Sequence, residues 1–561
     1  MKARLFIFSI FFSFITLCNS LTANPFTPTE KGQILFLVQQ GKIERAIELY
    51  QQQLKENTSH DYELLSQIGL ALLSYGAKQT DLEMQVLTLF GAHVSANSEA
   101  YFIIKECLKS RHPQIQSIAL NCLADSQQDD ADEAIIHMLG SPYALLRFEA
   151  IAYLCKKKDP FAIDQLESLI AKSPTSILPL YPPLLAELGT RKSMHLLRKM
   201  VNHPLNKVRQ AVIFQVANKH RDDFLPQIRQ QALHFDFAQQ EVCAYALGLF
   251  KDEESIEKLQ ILARSQYSET ALAARWALFQ LGKKNAALEV EQMAKKGNLY
   301  AIHLLAPMMD HQQTLMQLLD HKDLQIRLNA QLSLLEIHHE AALKGVEKLL
   351  VKDQYDLGFS IVKSPGEMFQ AWKVVFGASE LFKEDLLAYQ TQLEFKEAVL
   401  SKIKEISEET FLKIASLLLD QQQNELIPKT VALLEELKTS KAISCLQNYQ
   451  QKLGAALVRN YCNLTLYKMG EPGPYAAQLK QWIKAQKQLD LIQFRSYDPW
   501  KATEAKGDLT PAESSRLLVS SFQTFAERKD REGIELLVDL IATGNKKNRY
   551  ALAGLLLRAV L

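Results

Sequence analysis

The chain has 561 residues, of which 47% are hydrophobic and 23% charged, the balance of a folded protein with many side chains to bury. Lysine and arginine number 64 against 63 aspartates and glutamates, so the net charge is close to zero. Nucleic-acid binding depends on neutralising phosphates, so this balance argues against a nucleic-acid partner. Glycine (21) and proline (18) are scarce for the length, which favours helix almost throughout.

The first twenty residues have the pattern of a bacterial secretory signal peptide. Two cations in the first four residues precede an almost unbroken apolar run, Leu5 to Leu17, and polar residues follow. That run has roughly thirteen residues, fewer than the about 20 that span a bilayer. We therefore predict an exported protein, periplasmic or secreted, cleaved after Ser20 or Ala23, with no transmembrane segment in the mature chain. A lipidated Cys18 and an uncleaved anchor or N-terminal core helix are alternatives.

Residues 21–110 are predicted to form helical hairpins that cap the segment downstream. Gly41, Ala46 and Tyr50 have the spacing found in the second helix of a tetratricopeptide hairpin, which this stretch resembles. The preceding helix, predicted at 29–40, lacks the tryptophan and the Leu-Gly pair of that motif. Only half of the tetratricopeptide signature is therefore present.

Residues 111–352 carry a motif that recurs about every 31 residues. It consists of a breaker, a helix start, an aliphatic residue often followed by arginine, and a small residue four positions later. The aliphatic positions are Ile115, Leu146, Val208, Val242, Ala273 and Ile326. A second amphipathic helix follows each of these first helices, the last predicted at Leu343–Val351. Neither helix of such a pair can bury its apolar face alone, so stacked hairpins, an all-α α-solenoid, are predicted.

Two units depart from the regular period. The second helices end 30 to 32 residues apart, except for one step of 24 residues that predicts a shortened unit around 298–321. The first helix of the third hairpin is predicted to be broken by prolines, since proline lacks the N–H that a helix interior needs. These prolines are Pro174, Pro179, Pro182 and Pro183.

Two stretches of the array resemble HEAT-like repeats of the short, phycobilisome-lyase type. They are Leu-Arg-Phe-Glu-Ala-Ile-Ala-Tyr-Leu at 146–154 and Ala-Ala-Arg-Trp-Ala-Leu-Phe-Gln-Leu-Gly at 273–282. The resemblance covers about eight units over 110–352. It implies an α-solenoid. Some relatives with this repeat type act as lyases, but none of their chemistry matches residues of this chain, and a fold does not fix an activity.

Several polar residues recur at equivalent places of the repeat. Three arginines share one register and are predicted to form a structural ladder between adjacent hairpins: Arg147, Arg209 and Arg327. Four histidines fall at the repeat junctions: His112, His203, His234 and His321. Helix capping or a turn is the predicted role of these histidines, with pH sensing as the alternative.

Residues 353–561 are predicted to be helical and partly HEAT-like. The expected helices are 367–377, 380–406, 409–420, 426–438 and 441–453, and a HEAT-like fragment follows from Leu457 to Gly470. An irregular loop is expected over 495–508, then a helix capped by Thr510 and a closing helix over 551–561. Phe494, Tyr497 and Trp500, near Arg495 and Lys501, either pack that loop or form an exposed interface patch.

No nucleotide, hydrolase, zinc or calcium motif occurs, so no catalytic, cofactor-binding or metal-binding residue is predicted. His338, His339 and Glu340 come nearest to a metal cluster, but adjacent helical residues point about 100° apart. Lys156–Lys158 is predicted to be a solvated turn, with anion contact as the alternative. The cysteines form no C-x-x-C motif. A disulfide between Cys445 and Cys462, or between Cys107 and Cys122, stays open.

The predicted function is that of a non-catalytic exported scaffold or adaptor that binds a protein or peptide partner on the solenoid surface. Exposed residues of the second helices are the candidate contacts: His195, Arg198, Lys199, Gln227 and Gln230. One alternative is a lyase-like or other enzyme with a cleft between the solenoid and the C-terminal region. The other is a structural component of the envelope. The sequence does not identify the partner.

Overall fold

The computed structural model describes residues 26–56, 59–124, 131–308, 311–351, 357–363, 370–376, 386–452, 455–488 and 511–559. Over these residues the chain is helical apart from one two-stranded antiparallel sheet and short connections. The predicted signal peptide, the aromatic patch around Trp500 and the predicted cap Thr510 lie outside the described residues.

The helices and strands follow one another in this order. Up to residue 200 they are α1 Pro28–Gln39, α2 Ile43–Glu56, α3 Tyr62–Ala77, α4 Leu82–Val94, α5 Tyr101–Cys107, α6 Pro113–Ala124, α7 Ala131–His137, α8 Ala144–Lys156, α9 Pro160–Lys172, α10 Tyr181–Leu188 and α11 Arg191–Met200. Up to residue 376 they are α12 Asn206–Asn218, α13 Leu225–Gln231, α14 Phe237–Leu249, α15 Ile256–Leu262, α16 Ser268–Gln280, α17 Lys284–Lys295, α18 Leu299–Leu305, α19 Gln312–Leu318, α20 Leu324–Glu336, β1 Leu357–Lys363 and β2 Gln370–Phe376. The remainder are α21 Leu386–Ile406, α22 Glu408–Asp420, α23 Ile427–Leu437, α24 Ser440–Gln450, α25 Ala456–Met469, α26 Tyr475–Ala485, α27 Pro511–Glu527, α28 Arg531–Thr543 and α29 Arg549–Arg558.

The chain divides into two compact units that are not consecutive in sequence. The first unit joins both ends, Met1–Ala134 with Glu471–Arg495 and Leu509–Leu561, and the second contains Ile135–Gly470 and Ser496–Asp508. The domains predicted from sequence ran in order, as 21–110, 111–352 and 353–561. Their boundaries do not coincide with these units, because packing joins helices that lie far apart along the chain.

In the first unit, α1 and α2 form the predicted N-terminal hairpin. Thr27 and Glu30 form a capping box at the start of α1, where each side chain bonds to the backbone N–H of the other residue. Gly41, with φ of +72°, turns the chain into α2. Ala46 and Tyr50 are fully buried, as the tetratricopeptide-like spacing required.

The last helix, α29, packs on α3 and α4, so the C-terminal end of the chain completes the core of the first unit. Every residue from Arg549 to Leu557 is buried. The close approach depends on Gly554, where a Cβ atom would overlap the backbone of Gly91. The sequence predicted a closing helix at this end, but it did not predict the surface on which that helix packs.

The second unit contains two layers of helices, as predicted for a solenoid. The first helices of successive hairpins pack side by side: α8, α10, α12, α14, α16, α18 and α20. The second helices lie beside them as α9, α11, α13, α15, α17 and α19. This stack of hairpins, in which each one contacts its neighbours, confirms the HEAT-like α-solenoid.

Small residues set the spacing in the first-helix layer. A Cβ atom at Gly248 of α14 would lie 2.7 Å from the Cα atom of Ala277 in α16, so these two helices approach closely. The predicted alanines of the motif are all fully buried: Ala119, Ala150, Ala246, Ala277 and Ala330. The small residue of the repeat is therefore a core position, and at Ala277 it lies at a close contact between two helices.

An aromatic stack crosses the same layer with the repeat period of 31 residues. Tyr245 stacks on Phe214 at a ring-centroid distance of 5.7 Å and on Trp276 at 5.1 Å. The Tyr245 hydroxyl also donates to the Asn218 carboxamide oxygen at 3.1 Å. The period of the sequence thus places equivalent side chains in direct contact across three hairpins.

Both irregular units occur where the sequence predicted them. After α9 the chain makes a 3-10 turn at Leu178–Leu180, and α10 has only eight residues, with prolines in its first turn. In the shortened unit, α18 and α19 have seven residues each. The proline-broken helix and the 24-residue step are therefore confirmed.

Two predicted helices near residue 352 are wrong. In place of a helix over Leu343–Val351 there are two 3-10 turns, Glu340–Leu343 and Val346–Leu349, because Gly345 adopts φ of +72° between them. In place of a helix over 367–377 there is β2, which pairs antiparallel with β1 in a register that joins Leu357 to Phe376 and Lys363 to Gln370. Beyond the sheet, α21 to α25 resume the hairpins close to their predicted positions.

Candidate binding surfaces

The turns that join one hairpin to the next have a recurring polar structure. Arg209 donates to the carbonyl oxygens of His203 at 2.8 Å and Pro204 at 3.1 Å, six and five residues earlier. Equivalent bonds to the carbonyl six residues earlier are made by Gln116, Arg147, Gln240 and Arg327. The three arginines are therefore structural, but the predicted ladder between adjacent hairpins is wrong. Each arginine donates hydrogen bonds to carbonyl oxygens within its own junction.

The junction residue also accepts a hydrogen bond from the backbone N–H two positions later. His203, His234 and His321 accept through Nδ1 at 3.0 to 3.1 Å, which confirms the predicted turn role for these three. At the other junctions a serine hydroxyl accepts instead: Ser110, Ser141 and Ser265. His112 is not the accepting residue of its junction, although its backbone carbonyl accepts from the N–H groups of Ile115 and Gln116 at the start of α6. Its N–H donates to Ser110, so the capping role predicted for His112 belongs to that serine.

Replacing Arg209 with methionine is expected to destabilise the second unit by about 1.5–3 kcal/mol, the usual contribution of a hydrogen bond to a charged group. Arg209 is buried, and its loss leaves two carbonyl oxygens of the junction without their donor. Denaturant unfolding would measure the change. Lys207→Met is the matched control, because Lys207 is exposed and should change stability by less than about 0.5 kcal/mol. Equal effects of the two substitutions would contradict the junction role.

The surface of the second helices, which the sequence nominated for binding, is largely engaged in ion pairs between hairpins. Lys192 pairs with Asp164 at 2.5 Å, Lys199 with Glu167 at 3.1 Å, and Arg198 with Asp223. Arg229 continues the series through Asp252 and Glu254. Exposed pairs of this kind contribute about 0–1 kcal/mol each. Their main consequence is that this face neutralises its own charge.

The five nominated residues thus have different environments. Arg198 and Lys199 bind neighbouring hairpins of the same chain. His195 and Gln230 are exposed, and Gln227 is half-buried. Two of the five candidate contacts are thus already paired within the chain.

A polar groove of about 700 Å³ lies between α22 and α24, the second helices of two adjacent hairpins. Tyr449 donates to the backbone oxygen of Ser416 at 2.9 Å, and Lys452 pairs with Asp420 at 2.8 Å. Lys452 also lies over the Tyr449 ring, 5.4 Å from its centroid. Ser416 and Asp420 of α22 are thus bonded to Tyr449 of α24 and to Lys452 just after it.

The first unit has a pocket of about 510 Å³ between α2 and α28. Its wall includes Tyr50 and His60, both buried, and the Tyr50 hydroxyl lies 2.9 Å from His60 Nδ1. Nε2 of His60 lies 3.2 Å from the Arg531 carbonyl, which can only accept, so Nε2 carries the proton and Nδ1 accepts from Tyr50. Burial lowers the pKa of His60 and raises the pKa of Tyr50. This pair is a neutral, fully hydrogen-bonded structural element.

The carboxyl of Glu291 has a strongly lowered pKa, and its environment is structural. Hydrogen bonds from Lys295 and Thr314, with a further one from His311, lower the pKa of Glu291 to about 2. Thr314 and His311 belong to the shortened unit, so Glu291 ties α17 to that unit. The hydrogen bonds that hold the shortened unit against α17 therefore also lower the pKa of Glu291.

The histidine pair near residue 338 is not gathered around one point. His338 Nε2 lies 2.7 Å from Glu405, whereas His339 Nδ1 accepts from the N–H of Ala341. Among the described residues, no group of three or more His, Cys, Asp or Glu side chains is placed to hold a metal ion. The cysteines at 107, 122, 155, 243, 445 and 462 are free thiols, so neither proposed disulfide is formed in the structure.

No helix in the described part of the chain is both long enough and apolar enough to cross a bilayer. No protein-family model and no curated protein matches the sequence.

Comparison with known structures gives matches of low similarity. The complex of the two phycocyanin lyase proteins CpcE and CpcF from Nostoc is 17% identical, with a TM-score of 0.27, over 50% of this chain and 97% of that one. Importin beta is 12% identical, with a TM-score of 0.33, over 91% of this chain and 76% of that one. A chain in a homology model of the AP-3 complex is 15% identical, with a TM-score of 0.31, over 94% of each chain. At these values no partner or activity transfers to this chain.

Proposed function

We propose that this protein is a non-catalytic, exported scaffold that binds a protein or peptide partner on the surface of its hairpin stack. The observation that carries the proposal is the continuity of that stack. Hydrogen bonds join residues about 30 positions apart, as from Gln231 to Val201 and from Asn298 to Ser268. A continuous surface built from equivalent positions allows many weak contacts to act together.

The polar chemistry of the two pockets supports a binding role over catalysis. The Tyr50–His60 pair is fully hydrogen-bonded, and Lys452 is held by Asp420. A general base needs a group free to take up a proton near neutral pH. An enzyme that uses these pockets would need to break those bonds first.

The test is crosslinking in the native envelope and secreted fractions, followed by mass spectrometry of the captured protein. A reproducible partner crosslinked to residues of the hairpin stack is the expected result. An unrelated exported protein of similar abundance is the control for non-specific capture. A partnerless monomer, or turnover of a substrate at either pocket, would contradict the proposal.

Export is tested separately by the mass of the mature N-terminus. A chain that begins at Leu21 or Asn24 is the expected result of cleavage after Ser20 or Ala23. A lipid-modified Cys18 would instead support an envelope-anchored structural component.

A further inference from the structure

The turns that join successive hairpins of the second unit lie side by side along one edge. We call the turns at 201–207, 232–237, 263–268 and 296–298 the junction edge. Gln231 bonds to Asn202, Asn206 bonds to Asp236, and Asn298 bonds to Ser268, so these bonds link neighbouring turns. The rings of Phe237 and Tyr267, stacked at 4.4 Å, link the second turn to the third. The edge is therefore continuous over four junctions.

The junction edge exposes large apolar side chains. Phe235 is 88% exposed, and its ring rests on His234 at a centroid distance of 4.2 Å. Leu205, Leu233 and Tyr267 are each more than a third exposed. The edge thus presents apolar surface at three successive turns.

The fold does not require an aromatic residue at position 235. The equivalent positions in the neighbouring junctions, 31 residues before and after, hold Pro204 and Gln266. All three turns have the same hydrogen bond from the N–H two positions after the junction residue. Exposure of a phenylalanine that the turn does not need indicates a contact surface.

The accessible charge of this edge is cationic. Lys207, Arg264 and Lys296 are exposed, and none of them has an ion-pair partner among the described residues. Of the acids, Asp236 caps α14 and is bound by Asn206, whereas Glu269 is half-buried in the first turn of α16. This contrasts with the second-helix surface, where acids and bases neutralise each other.

We infer that the junction edge binds an extended, acidic segment of a partner protein that carries an apolar side chain at every third residue. Packed helices lie about 8–10 Å apart. A polyproline II segment rises about 3.1 Å per residue with three residues per turn, so its equivalent side chains recur about every 9 Å. One apolar side chain would therefore meet each junction, and its acidic residues would meet the free cations. This inference rests on the proposed binding function.

The direct test is fluorescence anisotropy of the full chain with a labelled peptide of repeating Leu-Pro-Glu. Saturable binding that weakens with salt is the expected result. Peptides with serine in place of leucine, or lysine in place of glutamate, should bind at least tenfold more weakly. No binding of the Leu-Pro-Glu peptide, or equal binding of the lysine peptide, would overturn the inference.

Variants locate the surface. Phe235→Ser should weaken binding about tenfold, whereas Leu288→Ser, an exposed apolar residue on a second helix, should leave it unchanged. The double variant Lys207→Glu and Arg264→Glu should also weaken peptide binding about tenfold. Lys283→Glu with Lys284→Glu, at turns within hairpins, is the matched control. Equal effects of test and control variants would place the contact elsewhere.

Two further outcomes distinguish a peptide contact on the junction edge from a membrane contact and from a partner bound elsewhere on the stack. Binding of phosphatidylglycerol vesicles that Phe235→Ser abolishes, without peptide binding, would identify the edge as a membrane contact and overturn the peptide proposal. A second outcome is that the Phe235→Ser variant still crosslinks fully to the partner found in envelope or secreted fractions. That result would overturn the junction edge as the binding site and leave the proposed function intact. Loss of that crosslink would support both.

Discussion

Gly554→Ala is expected to detach the C-terminal helix from the first unit. In the native packing, a Cβ atom at residue 554 would overlap the carbonyl oxygen of Gly91 and lie 2.7 Å from its Cα atom. Both obstacles are backbone, so no side-chain rotation can relieve the overlap, and α29 must move away from α4. Overpacking of a core usually costs about 1–3 kcal/mol, and backbone overlap places this substitution at or above the upper figure.

The consequence extends along the whole of α29 because the helix is buried from end to end. Gly69 of α3 also lies close to α29. A Cβ atom added at Gly69 would lie 2.8 Å from the carbonyl oxygen of Ala553. A shift that relieves Gly554 therefore disturbs the α3 contact as well. The alanine gains about 1 kcal/mol of helix propensity, which is too little to compensate.

Hydrogen exchange measured by mass spectrometry is the suitable readout, since it reports α29 and α4 separately from the second unit. Amides of both helices should lose protection in Gly554→Ala. The matched control is Gly32→Ala in α1, where an added Cβ meets nothing within 4 Å. That substitution should stabilise the helix by about 0.5–1 kcal/mol. Wild-type protection of α29 in Gly554→Ala would show that the close contact is not needed.

The sequence predicted the hairpin stack because each hairpin carries its own local signal. The buried position of Ala246 or Ala277 follows from the helical spacing within its own motif, and the repeat shows that its neighbours do the same. The sequence also carries a pattern that predicts the hydrogen bonds of the junctions. A serine or histidine followed six residues later by arginine or glutamine recurs, as in Ser110 with Gln116, but only the arginines were recognised.

Two of the features that sequence reasoning missed, the β1–β2 sheet and the packing of α29, have different causes. The β1–β2 sheet carries a local signal, since aromatic and β-branched residues flank Pro365-Gly366, but the helical composition of the whole chain outweighed it. The closure of the first unit has no local signal. Gly91 and Gly554 are ordinary helical residues until the fold brings them together. Contacts of this range follow from three-dimensional packing and not from periodicity.

The candidate binding surface also combines features that the sequence predicts with features that depend on three-dimensional packing. The sequence predicted exposed second helices, and the structure shows that their charges are used between hairpins, as in the pairing of Lys199 with Glu167. Pairing of this kind depends on side-chain reach across hairpins, which a linear pattern does not contain. Phe235 was overlooked because an isolated aromatic residue in a turn is more often packed than exposed.

Arg549→Met is expected to destabilise the first unit by about 2–4 kcal/mol, the range for losing a buried, charged hydrogen-bond donor. Arg549 is buried at the start of α29. Its Nε donates to the Ile541 carbonyl at 2.8 Å, at the end of α28, and its Nη2 donates to Glu44 of α2 at 2.7 Å. The last carbonyls of a helix lack partners within that helix, so methionine would leave a buried acceptor unsatisfied.

Comparison with Glu44→Gln separates the two roles of this arginine. Glu44 is 46% exposed, so its ion pair should contribute at most about 1 kcal/mol, whereas the bond to Ile541 is buried. Glu44→Gln should therefore cost much less than Arg549→Met. Lys546→Met, a cation nearby in the same turn, should have almost no effect. Similar losses for Glu44→Gln and Arg549→Met would show that the ion pair is the dominant contribution.

Acid provides an independent check on the same contact. The hydrogen bond from Arg549 lowers the pKa of Glu44, so the ion pair stabilises the fold above the unfolded pKa of about 4.3 and is lost as the pH falls through the lower folded value. The bond from Arg549 to the Ile541 carbonyl involves no carboxyl group. The difference in unfolding free energy between wild type and Arg549→Met should thus shrink only slightly between about pH 6 and pH 3. A difference that vanished at the acid end of this range would mean that Arg549 acts through Glu44 alone.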